Sequence, residues 1–380
     1  MNSAVNAVRH HNHFDFLRIV AAYMVLCSHQ FPLTGRIEWV IPQYQSLGGI
    51  GLLIFFSISG FLVAESWQRD PHVIRFALRR MLRVWPGLAV AVALAACVLG
   101  PLMTTLPLGQ YFANPITAHY FGILKFIDAE YLPGVFDSNS NHAVNGSLWT
   151  LPVEVRWYVI LAILGLLQVL RWRVVLLLGT LVMAVHYFGI FDVQRVIAEG
   201  GKRGWKEELG IFFLAGACLH YFRAEWERNR FVVAIVITAI AVLLFSIGQK
   251  HAAFWLIIPF VTLNFGLASW PGIRRTARFG DFSYGVYIYA FPVQQTIIAL
   301  TSNTLPFALG LAASALTTFA FAFLSWHCVE KQALKLKPSR SNFVIPWRRL
   351  RARDTARAED GLFHIAVGAN DEKHSPAGGR

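Results

Sequence analysis

Apolar runs long enough to cross a bilayer recur along almost the whole chain, and they constrain its fold more than any other feature. A membrane-spanning helix needs about 20 predominantly apolar residues. The sequence predicts such helices at 14–33, 47–67, 84–104, 152–170, 172–190, 208–223, 231–247, 252–269, 282–301 and 306–327. Only 14% of the residues are charged, where a soluble domain has about 25%. We therefore expect an all-α integral membrane protein with about ten transmembrane helices.

The distribution of basic residues predicts the orientation of these helices. Lys and Arg concentrate in alternate loops and near the C-terminus, and such an excess marks the cytoplasmic side of a membrane. Both termini are therefore predicted to be cytoplasmic, although several basic residues in the loop 191–207 argue against this topology. Residues 1–13 would form a short N-terminal segment, 14–337 the membrane domain, and 338–380 a basic, disordered tail.

The composition indicates neither a nucleic-acid partner nor a site built from cysteines. The net charge of +13 is explained by the sorting of basic residues across the membrane, so no nucleic-acid partner is expected. The four cysteines lie singly in or beside apolar runs, without the paired spacing of a zinc site. The sequence therefore predicts neither disulfides nor a bound metal.

The first predicted helix places two ionisable side chains on one face. Arg18 and His29 are eleven residues apart in the sequence, which is about three turns, so their side chains point in nearly the same direction. Their separation along the helix axis is ~16 Å. An ionisable group inside a membrane is costly and usually functional, although a histidine hydrogen-bonded to a neighbouring helix is the alternative.

Small residues mark the second predicted helix, which contains the run GGIGLLIFFSISG. Ser59 and Gly60 at its end would let another helix, or a thin ligand arm, approach the backbone closely. Close packing of helices is sufficient to explain this pattern by itself.

An arginine-rich segment follows on the predicted cytoplasmic side. Its arginines are spaced three or four residues apart, so several guanidinium groups would share a helical face at the membrane surface. The residues concerned are Arg75, Arg79, Arg80 and Arg83. Arginine suits bidentate contacts with phosphate. The ligand would be either a lipid headgroup or a soluble phosphorylated molecule such as a nucleotide-bearing cofactor.

A polar segment precedes the fourth predicted helix on the outer side. Asn145, Ser147 and Trp149 lead into this helix, and Glu154 lies in its first turn. A carboxylate at a helix N-terminus is stabilised by the helix dipole, which explains Glu154 structurally. These residue types also bind sugar hydroxyls. Because His29 is predicted in the outer half of the membrane, we expect that it and Glu154 can meet.

The ninth predicted helix carries polar side chains around a proline. Tyr284 and Gln294 lie on either side of Pro292. Tyrosine near a membrane boundary often belongs to an aromatic belt, whereas polar residues in mid-span usually face a cavity. We treat both residues as candidates for substrate binding.

Together these segments resemble the membrane-bound acyltransferase 3 family, whose members O-acylate sugars. The resemblance covers residues 14–332, nearly all of the predicted membrane part. It is carried by Arg18 with His29, the run FFSISG, the segments RRMLRVWP and NGSLWTLPVE, and the span FSYGVYIYAFPV. With no hydrolase-like domain after the last helix, the chain is similar to the stand-alone form of the family.

The resemblance implies an activity and assigns roles to residues. A member takes an acyl group, usually from acetyl-CoA in the cytoplasm, and delivers it to a hydroxyl. His29 would be the catalytic histidine and Arg18 would support the donor path. Arg80 and Arg83 would bind the phosphates of coenzyme A, and Glu154 would assist at the acceptor.

Two positions depart from the family pattern. Many members have a histidine before the proline of the ninth span, where this chain has Ala290 and Phe291. Glu330 is followed by Lys331 and Gln332 in place of the frequent proline, which weakens any role for this glutamate. No function is therefore transferred to either position.

The resulting hypothesis is an O-acyltransferase of the cell (inner or plasma) membrane that uses a short acyl-CoA as co-substrate. Its acceptor would be a surface saccharide, either lipid-linked or free, and it would lie among membrane lipids as a monomer or homodimer. His29 would act as a general base or carry the acyl group briefly. The pantetheine arm of the donor would pass Ser59 and Gly60. Arg79 would help to bind the phosphates of coenzyme A. The alternative is a transporter or flippase of a lipid-linked saccharide, which would make no bond.

Overall fold

Helices occur at all ten positions where the sequence predicts them. The computed structural model describes residues 13–38, 40, 45–190, 202–268 and 280–338. The long helices are α1 (Phe14–Leu33), α2 (Leu47–Arg69), α3 (Val73–Met103), α4 (Thr150–Leu166), α5 (Arg173–Ile190), α6 (Lys202–Tyr221), α7 (Arg230–Ser246), α8 (Lys250–Leu267), α9 (Ser283–Leu300) and α10 (Phe307–Lys335). Across these ranges the chain forms no β-strand beyond two isolated bridges.

Five of these helices are both long and apolar enough to cross a membrane: α1, α2, α3, α8 and α10. Two further apolar helices, within α5 and α7, are shorter. Many large apolar side chains on α5 and α7 face outward and are exposed, as expected of a surface that meets lipid. The helical architecture and its apolar exterior define a membrane protein.

Helix α3 begins earlier than predicted. The hydropathy pattern starts this span at residue 84, but the helix already begins at Val73 and includes all four arginines of the basic segment. His72 accepts a hydrogen bond from the backbone nitrogen of Arg75 and so caps its first turn. A π-helical turn, Ala95–Leu99, interrupts α3 towards its C-terminal end. The arginines therefore lie on a rigid extension of a membrane helix.

Glycines allow unusually close contact between α2 and its neighbours. A Cβ atom added to Gly60 would lie 1.9 Å from the carbonyl oxygen of Phe213 in α6, and one added to Gly216 would lie 2.1 Å from the oxygen of Ser57. The backbones of the two helices are thus in direct contact. The packing explanation for the small residues of α2 is confirmed at Gly60.

The segment between α3 and α4 packs into the helix bundle. It contains three short helical pieces, Leu108–Ala113, Pro115–Tyr120 and Phe121–Lys125. Its buried apolar residues, which include Leu132, form a core with α3 and α9. Because this segment enters the bundle, the start of α4 lies within the protein.

Several expectations lie outside the described residues. These are the structure of residues 1–12, most of the loop 191–207 and the disorder of 339–380. The chain divides into one compact unit that ends at Leu336 and a second from Lys337 to Arg380. All of the helices described above belong to the first unit.

Candidate active site

The N-terminal end of α1 holds a buried ion network. Asp281 lies just before α9, and its Oδ2 atom accepts a hydrogen bond of 2.7 Å from Arg18 Nη1. Arg83 of α3 donates a hydrogen bond to the same oxygen. The Ser283 hydroxyl donates to the other oxygen of this carboxylate. The two arginines outweigh the desolvation of Asp281 and hold its pKa below the usual value. This network joins α1, α3 and α9 at one level.

A second polar cluster lies beside it, between α2 and α4. The Ser59 hydroxyl donates to Glu154 Oε1 over 3.0 Å, and the Tyr158 hydroxyl donates to the same oxygen. Arg80 lies over the Tyr158 ring, with its Cζ atom 5.9 Å from the ring centroid. Arg80 forms no salt bridge with any carboxylate of the described ranges. It is the arginine of α3 whose charge is least neutralised.

The remaining arginines of α3 are held by Asp70, in the turn between α2 and α3. Arg75 binds both carboxylate oxygens, with Nε at 2.9 Å and Nη2 at 2.6 Å, and Arg79 Nη1 adds a contact of 2.6 Å. Hydrogen bonds from Arg75, followed by those from Arg79, hold the pKa of Asp70 well below its usual range. Arg75 and Arg79 therefore fix the turn as well as carrying positive charge.

His29 lies near the C-terminal end of α1, away from these clusters. Its ring packs edge-on against Phe291 of α9, with the two ring centroids 5.2 Å apart. Gly146 lies against the other part of the Phe291 ring, where an added Cβ would come within 3.0 Å. The buried Nδ1 atom of His29 has no hydrogen-bond partner in the part of the chain that the structure describes. This imidazole thus keeps a nitrogen free for a ligand.

Two other buried polar atoms near this level also lack a partner among the described residues. They are Oγ of Ser147 and Oε1 of Gln294. The Gln294 amide nitrogen donates to the Leu26 carbonyl oxygen over 2.9 Å and to Gln30 over 2.7 Å, which fixes its side chain beside α1. The predicted acceptor residues Ser147 and Gln294 therefore lie close to the helical turn that carries His29.

The structure does not bring His29 and Glu154 together, so the expected contact is wrong. A Cβ on Gly48 of α2 would meet Ser28, the neighbour of His29, whereas Glu154 contacts Ser59. Eleven residues of α2 separate these two points, which is ~16 Å along its axis. The expectation failed because α4 begins inside the bundle, at Thr150, so Glu154 lies beyond its first turn and not within it as predicted.

Arg18 lies at the level of Ser59 and Glu154. Helices α1 and α2 are antiparallel, since Ser28 faces Gly48 and the rings of Phe14 and Phe61 are 5.7 Å apart. The cluster around Asp281 and the cluster around Glu154 therefore lie at the same depth, near the N-terminal end of α1. His29 lies about three helical turns away.

The other predicted substrate residues have structural contacts. Asn145 Nδ2 donates to the Ile288 carbonyl oxygen over 2.8 Å, and the Tyr284 hydroxyl donates to the Val84 carbonyl oxygen over 2.7 Å. Trp149 is partly buried against the apolar core of α2, α4 and α6. Asn145 and Tyr284 thus attach α9 to its neighbours, and their use in substrate binding stays a prediction.

Sequence reasoning missed several residues of these clusters. Tyr158 is four residues after Glu154, so helical spacing gave a signal for this contact. No sequence signal indicated the contacts of Asp281 and Phe291, because their partners on α1 are remote in sequence. Glu38, which accepts a hydrogen bond from the Ser28 hydroxyl, lies in a loop, and burial raises the pKa of its carboxyl group.

The departures from the family pattern also have defined surroundings. The ring of Phe291, at a place where a histidine is frequent, packs on His29 itself. Glu330 is buried in α10 and accepts a hydrogen bond of 3.0 Å from the Ser325 hydroxyl. Within the described ranges no group of acidic, histidine or cysteine side chains could hold a metal ion.

The apolar helical architecture, with arginines, a carboxylate and a histidine buried at two depths, defines the class as a membrane protein with a polar interior. The model of the acyltransferase domain of the acyltransferase 3 family matches residues 11–327. The chain belongs to this family and is an O-acyltransferase.

Relatives of known name match most of the chain. An O-acetyl transferase of Shigella phage Sf6 is 30% identical over 334 residues, covering 85% of this chain and 96% of the relative. Nodulation protein 10 of Rhizobium leguminosarum bv. viciae is 30% identical over 370 residues, covering 87% and 95%. A regulator of hypoxia-inducible factor 1 from Caenorhabditis elegans is 33% identical over 172 residues, covering 38% and 32%. No solved structure matches the chain significantly.

Proposed function

We propose that this enzyme transfers an acetyl or other short acyl group from acyl-CoA to a hydroxyl of a surface saccharide. It would lie in the inner or plasma membrane as a multi-pass protein with ten transmembrane helices and both termini in the cytoplasm. The apolar helices and the sorting of basic residues support this topology. The relative named as an O-acetyl transferase supports the choice of acetyl.

The observation that carries the proposal is the presence of two polar levels along one face of α1. At the cytoplasmic level, Arg18 and the cluster around Glu154 provide cationic and hydrogen-bonding groups for the acyl-bearing arm of the donor. At the outer level, His29, Ser147 and Gln294 each keep a polar atom without a partner among the described residues. A thin donor arm and a hydroxyl acceptor, approaching from opposite sides, would meet near His29.

His29 would act as the general base for the transfer. Its neutral imidazole would accept the proton of the acceptor hydroxyl as the hydroxyl oxygen bonds to the acyl carbon of the thioester. The carbon–sulfur bond then breaks, and coenzyme A leaves as a thiolate that takes the proton back from the imidazolium. Such proton transfer contributes about 10²–10⁴-fold to a rate.

The position of Glu154 changes the role proposed for it. Because its carboxylate binds Ser59 and Tyr158 at the level of Arg18, it is suited to orient groups around the donor. Arg80, stacked on Tyr158, would supply a positive charge for the donor in the same cluster. Ser147 and Gln294 would take over contacts with the acceptor at the outer level.

The direct test is acyl transfer by the purified protein in lipid nanodiscs, with labelled acetyl-CoA and a saccharide acceptor. His29→Ala should lower kcat by at least about 100-fold while donor binding persists. The matched control is His327→Ala, since His327 is half-buried on α10, where its ring lies tilted against Phe323 with ring centroids 4.2 Å apart. Full activity of the His29 variant would refute the proposed base. Transport of a saccharide without any acetylation would favour the transporter alternative.

A further inference from the structure

A cavity of about 650 Å³ opens at the cytoplasmic end of the helix bundle, apart from the two polar levels. Its walls are the last turn of α2, the turn between α4 and α5, and the end of α6. Its lining includes Trp67, Gln168, Arg171, Arg173 and Tyr221. Its volume lies within the range of small-molecule sites, about 300–1,000 Å³.

The polar wall of this cavity is suited to an anion. Arg171 Nη1 donates to Gln168 Oε1 over 3.0 Å, so the guanidinium is oriented by its neighbour. Gln168 has a left-handed backbone (φ 59°), a conformation that costs energy in a residue other than glycine. Arg173 begins α5, whose N-terminal dipole adds positive potential at the same place. Arg173 also pairs with Glu225, which leaves Arg171 as the less neutralised charge.

The opposite wall is aromatic. Trp67 is buried, with its indole against the backbone of Gly165 in α4, and Tyr221 closes the cavity from α6. Aromatic faces stack on planar heterocycles, and glutamine side chains offer both donors and acceptors to a base. A phosphate of a lipid headgroup would use the arginines alone, whereas a nucleotide would use both walls.

The cavity is also aligned with the donor level. Trp67 is eight residues from Ser59 on α2, and Gly165 is eleven residues from Glu154 on α4, both in the cytoplasmic direction. These intervals correspond to ~12 and ~16 Å along the helix axes. An extended pantetheine arm can span such a distance. Asp70 and Asp281 already neutralise most arginines of α3, so these arginines have little charge left for a phosphate. The cavity offers the less neutralised Arg171 within reach of the donor level.

We propose that this cavity, between the ends of α2, α4 and α6, binds the phosphate-bearing nucleotide of the acyl-CoA. Arg171 would contact the phosphates, and Tyr221, which is only partly buried, would stack on the base beside Trp67. This inference rests on the proposed function for the identity of the donor, and it places the nucleotide beside the turn after α4 instead of on the arginines of α3.

The test is binding of coenzyme A to the full-length protein in nanodiscs of purely zwitterionic lipid. Arg171→Ala should weaken this binding by about 10-fold, as expected for the loss of a charge-assisted hydrogen bond. Arg171→Lys, which keeps the charge without the planar fork, should give a smaller loss. The matched control is Arg228→Ala, which removes an equally exposed positive charge that does not line the cavity. The control should stay within about 2-fold of the wild type.

A second measurement compares acetyl-CoA with S-acetylpantetheine, which lacks the nucleotide. Arg171→Ala should raise KM for acetyl-CoA more than KM for S-acetylpantetheine, whereas a folding defect would leave the ratio of the two unchanged. Equal coenzyme A binding by the wild type and Arg171→Ala would overturn the inference. So would an effect seen only after anionic lipid is added, since the cavity would then hold a headgroup.

The two proposals can fail separately. Coenzyme A binding that depends on Arg171, in a protein that transfers no acetyl group, would refute the proposed function and leave the cavity assignment standing. Acetyl transfer with an unchanged KM in Arg171→Ala would refute the cavity assignment alone.

Discussion

The close contact between the backbones of α2 and α6 at Gly60 should make the protein sensitive to any larger side chain at this position. Gly60→Ala would place a Cβ atom 1.9 Å from the carbonyl oxygen of Phe213, a separation that real Cβ atoms do not show. The obstructing atom belongs to the backbone, so no side chain can rotate out of the way. The two helices must separate by roughly 1 Å, which also disturbs the neighbouring contact of Gly216 with Ser57.

The size of the effect follows from two opposing terms. Overpacking in a well-packed interior costs about 1–3 kcal/mol, and a backbone obstacle places this site at the upper end. Alanine is favoured over glycine in a helix by about 1 kcal/mol, which offsets part of the loss. We therefore expect Gly60→Ala to lower the free energy of unfolding by about 2 kcal/mol.

Gly179→Ala is the matched control. Gly179 also lies inside a helix, α5, but nothing lies within 4 Å of the position its Cβ would occupy. Only the propensity term acts there, so this variant should be more stable than the wild type by up to about 1 kcal/mol. Unfolding of both variants in the same detergent, followed by tryptophan fluorescence, measures the difference. A Gly60→Ala protein as stable as Gly179→Ala would refute the backbone contact.

Two further predictions concern the polar clusters. Asp70→Asn should lower stability at neutral pH, because it removes the carboxylate that holds Arg75 and Arg79. Since the pKa of Asp70 is lowered in the folded state, this contribution is present above about pH 4 and is lost as the pH falls further. Unfolding of both proteins at several pH values should show a constant difference from pH 5 to 8 that shrinks below about pH 4. Tyr158→Phe should raise KM for acyl-CoA by about 5-fold through loss of its hydrogen bond to Glu154, whereas Tyr284→Phe, which loses a bond to a backbone oxygen, should change stability without this rise. Equal KM values in these two variants would contradict the donor role of the Glu154 cluster.

The sequence predicts the helices well because each is a long apolar run. Boundaries are predicted less well where a helix leaves the apolar region. Helix α3 begins at Val73 because its arginine-rich turns are capped and paired with Asp70, which hydropathy cannot indicate. In contrast, α1 has the bounds that the sequence predicts, since its polar ends coincide with its helix ends.

The candidate site was predictable only within single helices. The common face of Arg18 and His29 follows from helical periodicity alone. The partner of Arg18, Asp281, is 263 residues away in the sequence, and no local pattern connects the two. Packing of α1 against α9 decides this pairing, as it decides the contact of His29 with Phe291.

The depth of Glu154 shows how a loop can displace a functional group. Counting from the start of its helix places this carboxylate near the outer surface, but the preceding segment is packed into the bundle and α4 starts at mid-depth. Donor and acceptor functions should therefore separate in variants of the two residues. Glu154→Gln should weaken coenzyme A binding several-fold, about the loss of one charged hydrogen bond, whereas His29→Ala should leave it unchanged and abolish transfer. Equal loss of coenzyme A binding in both variants would mean that the two levels do not act separately.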